Sequence, residues 1–150
     1  MTTFERLLSE LGDGLGVSLS PGSGGIAELF AEGRSVLLRA DETGEREVLI
    51  SVAAATAPAG GFSAATLRTA LELDLFGRDV AGHHLGLFAD TLFLSATLPL
   101  EGLSAETLAE RVLVLARLAG VVAGRLAAAD AVSSPAAPVR AGSGADFLSV

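Results

Sequence analysis

Apolar residues first recur at helical spacing. Phe4, Leu7, Leu8, Leu11 and Leu15 fall every three or four positions, as on a helix with one apolar stripe. Thr2 and Glu5 flank its start as a capping box, the threonine accepting from the backbone and the glutamate reaching back. Gly12, Gly14 and Gly16 weaken this helix and then stop it. Residues 18–25, SLSPGSGG, read as a loop. The period then shortens to two. Ile26–Ala31, Arg34–Ala40 and Glu45–Ala55 read as strands, with turns at Glu32-Gly33 and over Asp41–Gly44. In the third strand Val48, Ile50 and Val52 alternate with Leu49 and Ser51. Turns this short predict an antiparallel meander.

Ser63 is placed to cap a second helix, Ala64–Phe76, closed by Gly77. Leu67, Ala70, Leu71 and Leu75 lie along it, with Leu73 and Phe76 on other faces. That is more apolar surface than one core contact uses. A second hairpin runs from His83 to Phe88, turns at Ala89-Asp90 and returns from Thr91 to Leu98, where Pro99 ends it. Leu92, Leu94, Ala96 and Leu98 mark one face of the returning strand, and Phe93, Ser95 and Thr97 the other. Ser104 caps a long last helix that reaches about Ala129. Its stripe is Leu108, Val112, Leu115, Ala119, Val122 and Leu126. The expected fold class is α+β: a five-stranded antiparallel sheet with three helices, in the order αβββαββα. Residues 1–130 form the domain. Residues 131–150 are rich in Ala, Ser, Pro and Gly and are expected to be a disordered tail.

Composition narrows the function classes. The 150 residues suffice for one domain with its own core, and there is no cysteine. Thiol catalysis and Cys-ligated zinc are therefore excluded, and a reducing compartment fits. The formal net charge is −8, and all ten basic residues are arginine. An acidic chain with no basic run is a poor ligand for nucleic acid or for an anionic membrane. Acidity also keeps a protein with sticky surfaces dispersed. Glu5, Glu10 and Asp13 stand where a secretion signal needs an unbroken apolar core. Arg117 and Arg125 interrupt the most apolar stretch, Val112–Ala129, inside an amphipathic pattern, which argues against a membrane span. The expectation is a soluble cytoplasmic protein.

Candidate chemistry is sparse. His83 and His84 are the two histidines. Neighbours on a strand point to opposite faces, so they do not share a metal, and no ligand spacing surrounds them. Asp90 and Ser95 lie in the same hairpin, but nothing aligns them into a nucleophile, base and orienting group. The Gly22–Gly25 loop leads into a strand rather than a helix and lacks the lysine of a phosphate cradle. Glu28, Glu32, Glu42, Glu45 and Glu47 crowd the first meander and read as solvated turns rather than paired acid and base. With no Tyr or Trp, stacking platforms for bases and sugars are missing. The residues point to a non-enzymatic binding protein without cofactor or metal.

A longer pattern runs from the second helix to the last. It comprises a Leu-rich helix and a short connector, then Leu85-Gly86-Leu87 and Leu92-Phe93-Leu94 on strands. Leu98-Pro99-Leu100 follows, and Leu103-Ser104-Ala105-Glu106-Thr107-Leu108 opens the long helix. This resembles the class I chaperones of bacterial type III secretion, the Tir-chaperone-like family, as does the N-terminal FERLLSELGDGLGV. The resemblance covers about residues 3 to 129. Asp74 and Gly77 stand where the family commonly has Asn, and the tail is not a family feature.

The resemblance implies a homodimer that uses neither ATP nor catalysis. It implies binding of the N-terminal part of a secreted effector protein as an extended segment. It also implies a two-fold interface on the second helix and the strand after it, carried by Leu67, Leu71, Leu75, Leu85 and Leu87. The client site it suggests is Phe4, Leu7, Leu8 and Leu11 on the first helix with Ile26, Leu29 and Phe30 on the first strand. Strand 1 would have to be a sheet edge that a client strand covers. The alternative for these seven residues is that they form the core. At the level of function, the competing reading is an adaptor or regulator that sequesters a folded protein partner. A more distant one is a small-molecule enzyme using His84 and Asp90.

Overall fold

The capping box forms and starts α1 (Thr3–Leu15). The Glu5 amide donates to the Thr2 hydroxyl at 3.1 Å, and the Thr2 amide to the Glu5 carboxylate at 2.7 Å. Gly16 closes the helix in the left-handed conformation, φ 74°. A computed structural model of the chain describes residues 1–76 and 83–133. After a 3₁₀ turn at Ser23–Gly25 come β1 (Ile26–Ala31), β2 (Arg34–Ala40), β3 (Glu47–Thr56), α2 (Ala64–Phe76), β4 (His84–Phe88), β5 (Thr91–Pro99) and α3 (Ala105–Ser133). The order αβββαββα is the one expected. The strands form one antiparallel sheet in the spatial order β1-β2-β3-β5-β4.

Five boundaries differ from expectation. Two strands run one residue further, β3 ending at Thr56 rather than Ala55 and β5 at Pro99 rather than Leu98. β3 starts at Glu47 rather than Glu45 because the Asp41 carboxylate enlarges the turn, accepting from the amides of Thr43 (3.1 Å), Arg46 (2.9 Å) and Glu47 (3.1 Å). β4 starts at His84 rather than His83. α3 continues past Ala129 to Ser133, so the first residues of the expected tail are helical. The rest of that tail lies outside the described residues, as does Gly77.

Alternation sorts the sheet into two faces. Ala27, Val36, Leu38, Val48, Ile50, Val52, Ala54, Leu92 and Leu94 are buried against the helices. The stripes of α1 (Phe4, Leu7, Leu8, Leu11) and α3 (Leu108, Val112, Leu115, Ala119, Val122, Leu126) complete that core. α3 lies against β3 and α1, while α2 packs on α3 and β4. By length and composition alone, Ala105–Ala131 could cross a membrane. Its apolar stripe, however, is the surface packed on the sheet. Arg34 stitches the centre: its guanidinium donates to the carbonyls of Ala53 (3.1 Å) and Ala54 (3.0 Å) where β3 bulges.

Candidate functional site

Among the described residues, three exposed surfaces bear on binding. The first is the β1 edge, which pairs with β2 on one side and with no described strand on the other. Gly22 N–H donates to the Ile26 carbonyl at 2.9 Å, so the preceding loop covers the start of the strand. Phe30 stands 70% exposed on this edge. Ile26 is half-buried on the same face as Phe30. Leu29 points the other way and packs against the core. The helix-1 part of the expected client site is closed: Phe4, Leu7, Leu8 and Leu11 are buried in the core, Leu8 completely. The stripe matches what α1 needs to seat on α3 and the sheet, so no open groove runs along it. β1 alone presents client-site residues to solvent.

The second surface is the outer face of α2. Thr66, Ala70 and Leu73 are buried, whereas Leu71 and Leu75 are 72% and 76% exposed and Leu67 borders on exposed. With Ala64, Arg68 and Glu72 they line a shallow furrow of about 410 Å³. On neighbouring β4, Leu87 is exposed, while Leu85 faces inward and packs on the core. Asp74 ties the two elements together, accepting from the Leu85 amide at 2.8 Å. The structure thus brings Leu67, Leu71 and Leu75 together and places Leu85 as a half-buried support.

The third surface did not emerge from the sequence. The sheet's outer face bears a groove of about 260 Å³ whose lining includes Leu37, Leu49, Phe93, Phe88 and Arg39. Its signal was present, since β2, β3 and β5 each carry one large apolar residue, Leu37, Leu49 and Phe93, among the polar ones of the second alternating set. Reading one set as core leaves the other without a role.

The chemistry at these surfaces is that of contact. His84 Nδ1 lies 3.6 Å from Asp74 Oδ1, both on the surface. His84 and Asp90 sit at opposite ends of β4, so the distant enzyme reading has no assembled pair. Burial first, then the charge of Arg111 and the neighbouring His84, hold His83 below the usual imidazole range. Among the described residues no group of three His, Asp or Glu side chains could hold a metal. Carboxylates held below their usual range occur instead where α1 meets the β2–β3 turn. The hydroxyl and amide of Thr3 hold the Glu45 carboxylate below its usual range. The Thr43 hydroxyl and then backbone amides hold Asp41 far below its own. These are structural contacts.

Residues 6–119 match the Tir chaperone protein (CesT) family. Solved structures that share the fold include the following three. One is the type III secretion chaperone SycH of Yersinia pestis in complex with a stable fragment of YscM2: 20% identity, TM-score 0.56, covering 79% of this chain and 98% of that one. Another is the ExsC–ExsE complex: 20% identity, TM-score 0.67, covering 84% and 97%. The third is the HopA1–SchA chaperone–effector complex: 21% identity, TM-score 0.55, covering 81% and 91%. No curated protein matches the chain.

Proposed function

The chain belongs to the Tir chaperone protein (CesT) family, and from that membership we propose that it is a cytoplasmic, homodimeric chaperone. Its client is an extended N-terminal segment of a type III secreted effector, which it keeps soluble and secretion-competent. The carrying observation is the outer edge of β1, which beyond Ile26 pairs with no described strand and bears the exposed Phe30. An edge strand offers a row of backbone donors and acceptors, each worth about 0.5–1.5 kcal/mol net when paired. An extended client can take them up and set its alternate side chains against Ile26 and Phe30. Holding the segment needs no hydrolysis and no bound group; the energy comes from strand pairing and apolar burial.

The two-fold interface in this reading is the outer face of α2 with β4, through Leu67, Leu71, Leu75 and Leu87. Leu85 supports it from beneath. Leucines this exposed on a described helix are otherwise costly to leave in water, at about 1.5–3 kcal/mol each when fully transferred. The solved SycH and HopA1–SchA structures, each a chaperone with a bound protein, support the chaperone reading by fold.

The test is co-purification. Phe30→Asp should leave a folded dimer that no longer retains an effector's N-terminal segment. If the variant retains the segment as well as the parent does, the client does not bind at β1. A partner held only as a folded domain, and not as a short segment, would favour an adaptor over a chaperone.

A further inference from the structure

α3 ends where α2 begins. The Thr66 hydroxyl donates to the Asp130 carboxylate at 3.4 Å, so the chain leaves α3 at Ser133 beside the first turn of α2. Pro135 and Pro138 bar a helix from running on. Residues 134–150 are Ala, Ser, Pro and Gly except for six: Val139, Arg140, Asp146, Phe147, Leu148 and Val150. Asp146-Phe147-Leu148 is therefore a compact pairing of one negative charge with two large apolar side chains, carried on a spacer that includes Gly142 and Gly144.

The outer face of α2 complements that triplet. Leu67, Leu71 and Leu75 line its furrow together with Arg68. Arg68 is exposed and forms no ion pair among the described residues. Glu72 stands one turn further along the same furrow. A carboxylate is thus drawn to the Leu67 end and repelled from the Leu75 end. Leu71 lies five residues beyond Thr66, a rise of about 7.5 Å along the helix. Phe147 follows Ser133 by 14 residues, and a flexible chain of that length has an r.m.s. reach of roughly 20 Å. The furrow is within that reach. The groove on the outer face of the sheet is not on this path, because the whole sheet lies between it and α3.

We propose that the chain's own segment Asp146-Phe147-Leu148 docks on the outer face of α2, with Phe147 and Leu148 against Leu67, Leu71 and Leu75 and Asp146 on Arg68, and so competes with a second copy of the chain for that face. The inference rests on the two-fold reading of α2 given above and adds its regulation. The tail shields the leucines of the free protomer and yields them on pairing, since both occupants bury the same side chains. A tethered segment faces its site at an effective concentration of about 3 mM; one that half-saturates the site at about 1 mM when free then covers it about three-quarters of the time. Each protomer's face is open about a quarter of the time, and a dimer that needs two open faces is weakened roughly sixteenfold.

Sedimentation equilibrium gives the dimer dissociation constant of the full chain, of a chain ended at Ser133, and of the full chain carrying Phe147→Ser and Leu148→Ser. The buried core closes within residues 4–126, so the shortened chain keeps its fold. Both altered chains should dimerise about tenfold more tightly than the full chain, and to the same degree. A synthetic peptide of residues 138–150 should weaken the dimer of the shortened chain, and the same peptide with Phe147→Ser and Leu148→Ser should leave it unchanged. Asp146→Arg should tighten the dimer as shortening does. Arg68→Asp added to it should bring the tail's effect back, each protein being compared with the same substitution in the shortened chain. Equal constants for the full and shortened chains would overturn the inference and leave the chaperone and its dimer standing. A weaker dimer on shortening would overturn it too, making the tail a part of the interface. A shortened chain that is monomeric at micromolar concentration would remove the two-fold reading of α2 and this inference with it.

Discussion

An aspartate at residue 8 and one at residue 30 should have opposite consequences, although both positions carry apolar side chains of the expected client site. Leu8 is fully buried between α1, α3 and the sheet. Leu8→Asp forfeits about 2–5 kcal/mol of transfer and cavity energy. It adds several kcal/mol for a carboxyl group left without a partner in the core. The total reaches the 5–15 kcal/mol that holds a typical domain together, so the variant should be unfolded or aggregated. Phe30 is 70% exposed, so folding hides only about a third of its roughly 200 Å². At about 25 cal/mol per Å² that is worth about 1–2 kcal/mol. Its cross-strand neighbour is Ser35 and its same-face neighbour on β1 is Glu28, which adds a weak like-charge term. Urea unfolding followed by circular dichroism, the usual choice for a chain without Trp or Tyr, measures both. Comparable losses in the two variants would refute the separation of a closed α1 stripe from an open β1 edge.

Leu71→Glu or Leu75→Glu should dissociate the dimer while changing the protomer's secondary structure little, since both side chains are mostly exposed; light scattering at micromolar concentration reads this. Gly12→Ala should destabilise by about 1–3 kcal/mol, because its Cβ would lie 2.6 Å from the Val17 carbonyl and 3.1 Å from the Leu19 amide. Gly14→Ala on the same helix, with nothing within 4 Å, should instead stabilise by about 0.5–1 kcal/mol; thermal melts of the pair test the sign. Glu5, Asp41 and Glu45 all titrate below their ordinary values of 4.5, 3.8 and 4.5, held there mainly by the Thr2 amide, the Thr43 hydroxyl and the Thr3 hydroxyl respectively. Lowered carboxylates contribute stability above those values and lose it as pH falls through the folded-state ones. Acid titration should therefore loosen the α1–turn junction first, and in Asp41→Asn that junction should respond less to acid in hydrogen exchange.

Local chemistry made most of the fold legible. Thr2 and Glu5, Ser63, and Ser104 are short-range caps, and each forms its bond: Thr66 N–H to Ser63 at 3.1 Å and Thr107 N–H to Ser104 at 3.0 Å. Alternation in β3 and β5 fixed which residues face the helices. The candidate site was less legible because exposure depends on tertiary partners. A stripe such as Phe4, Leu7, Leu8 and Leu11 reads the same whether it meets the core or a client, and only the placement of α3 shows that it is covered. The run of leucines on α2 was readable as excess apolar surface, and Leu71 and Leu75 are where the excess lies. The outer groove arises from strand order: β5 lies between β3 and β4, which brings Phe93 next to Gly86 and into one face with Arg39, and no local pattern states that order. The larger β2–β3 turn was hidden for a similar reason, since one Asp41 side chain competes for several amides.

In the proposed function a dimer of this chain holds an extended effector segment at β1. The most direct measurement is the mass of the purified complex with a type III effector's N-terminal segment, by size-exclusion chromatography with light scattering, run beside the Phe30→Asp variant. The expected mass is that of two copies of this chain with the segment bound, and for Phe30→Asp that of the same dimer without it. A monomer, or a complex whose formation is indifferent to Phe30→Asp, would contradict it.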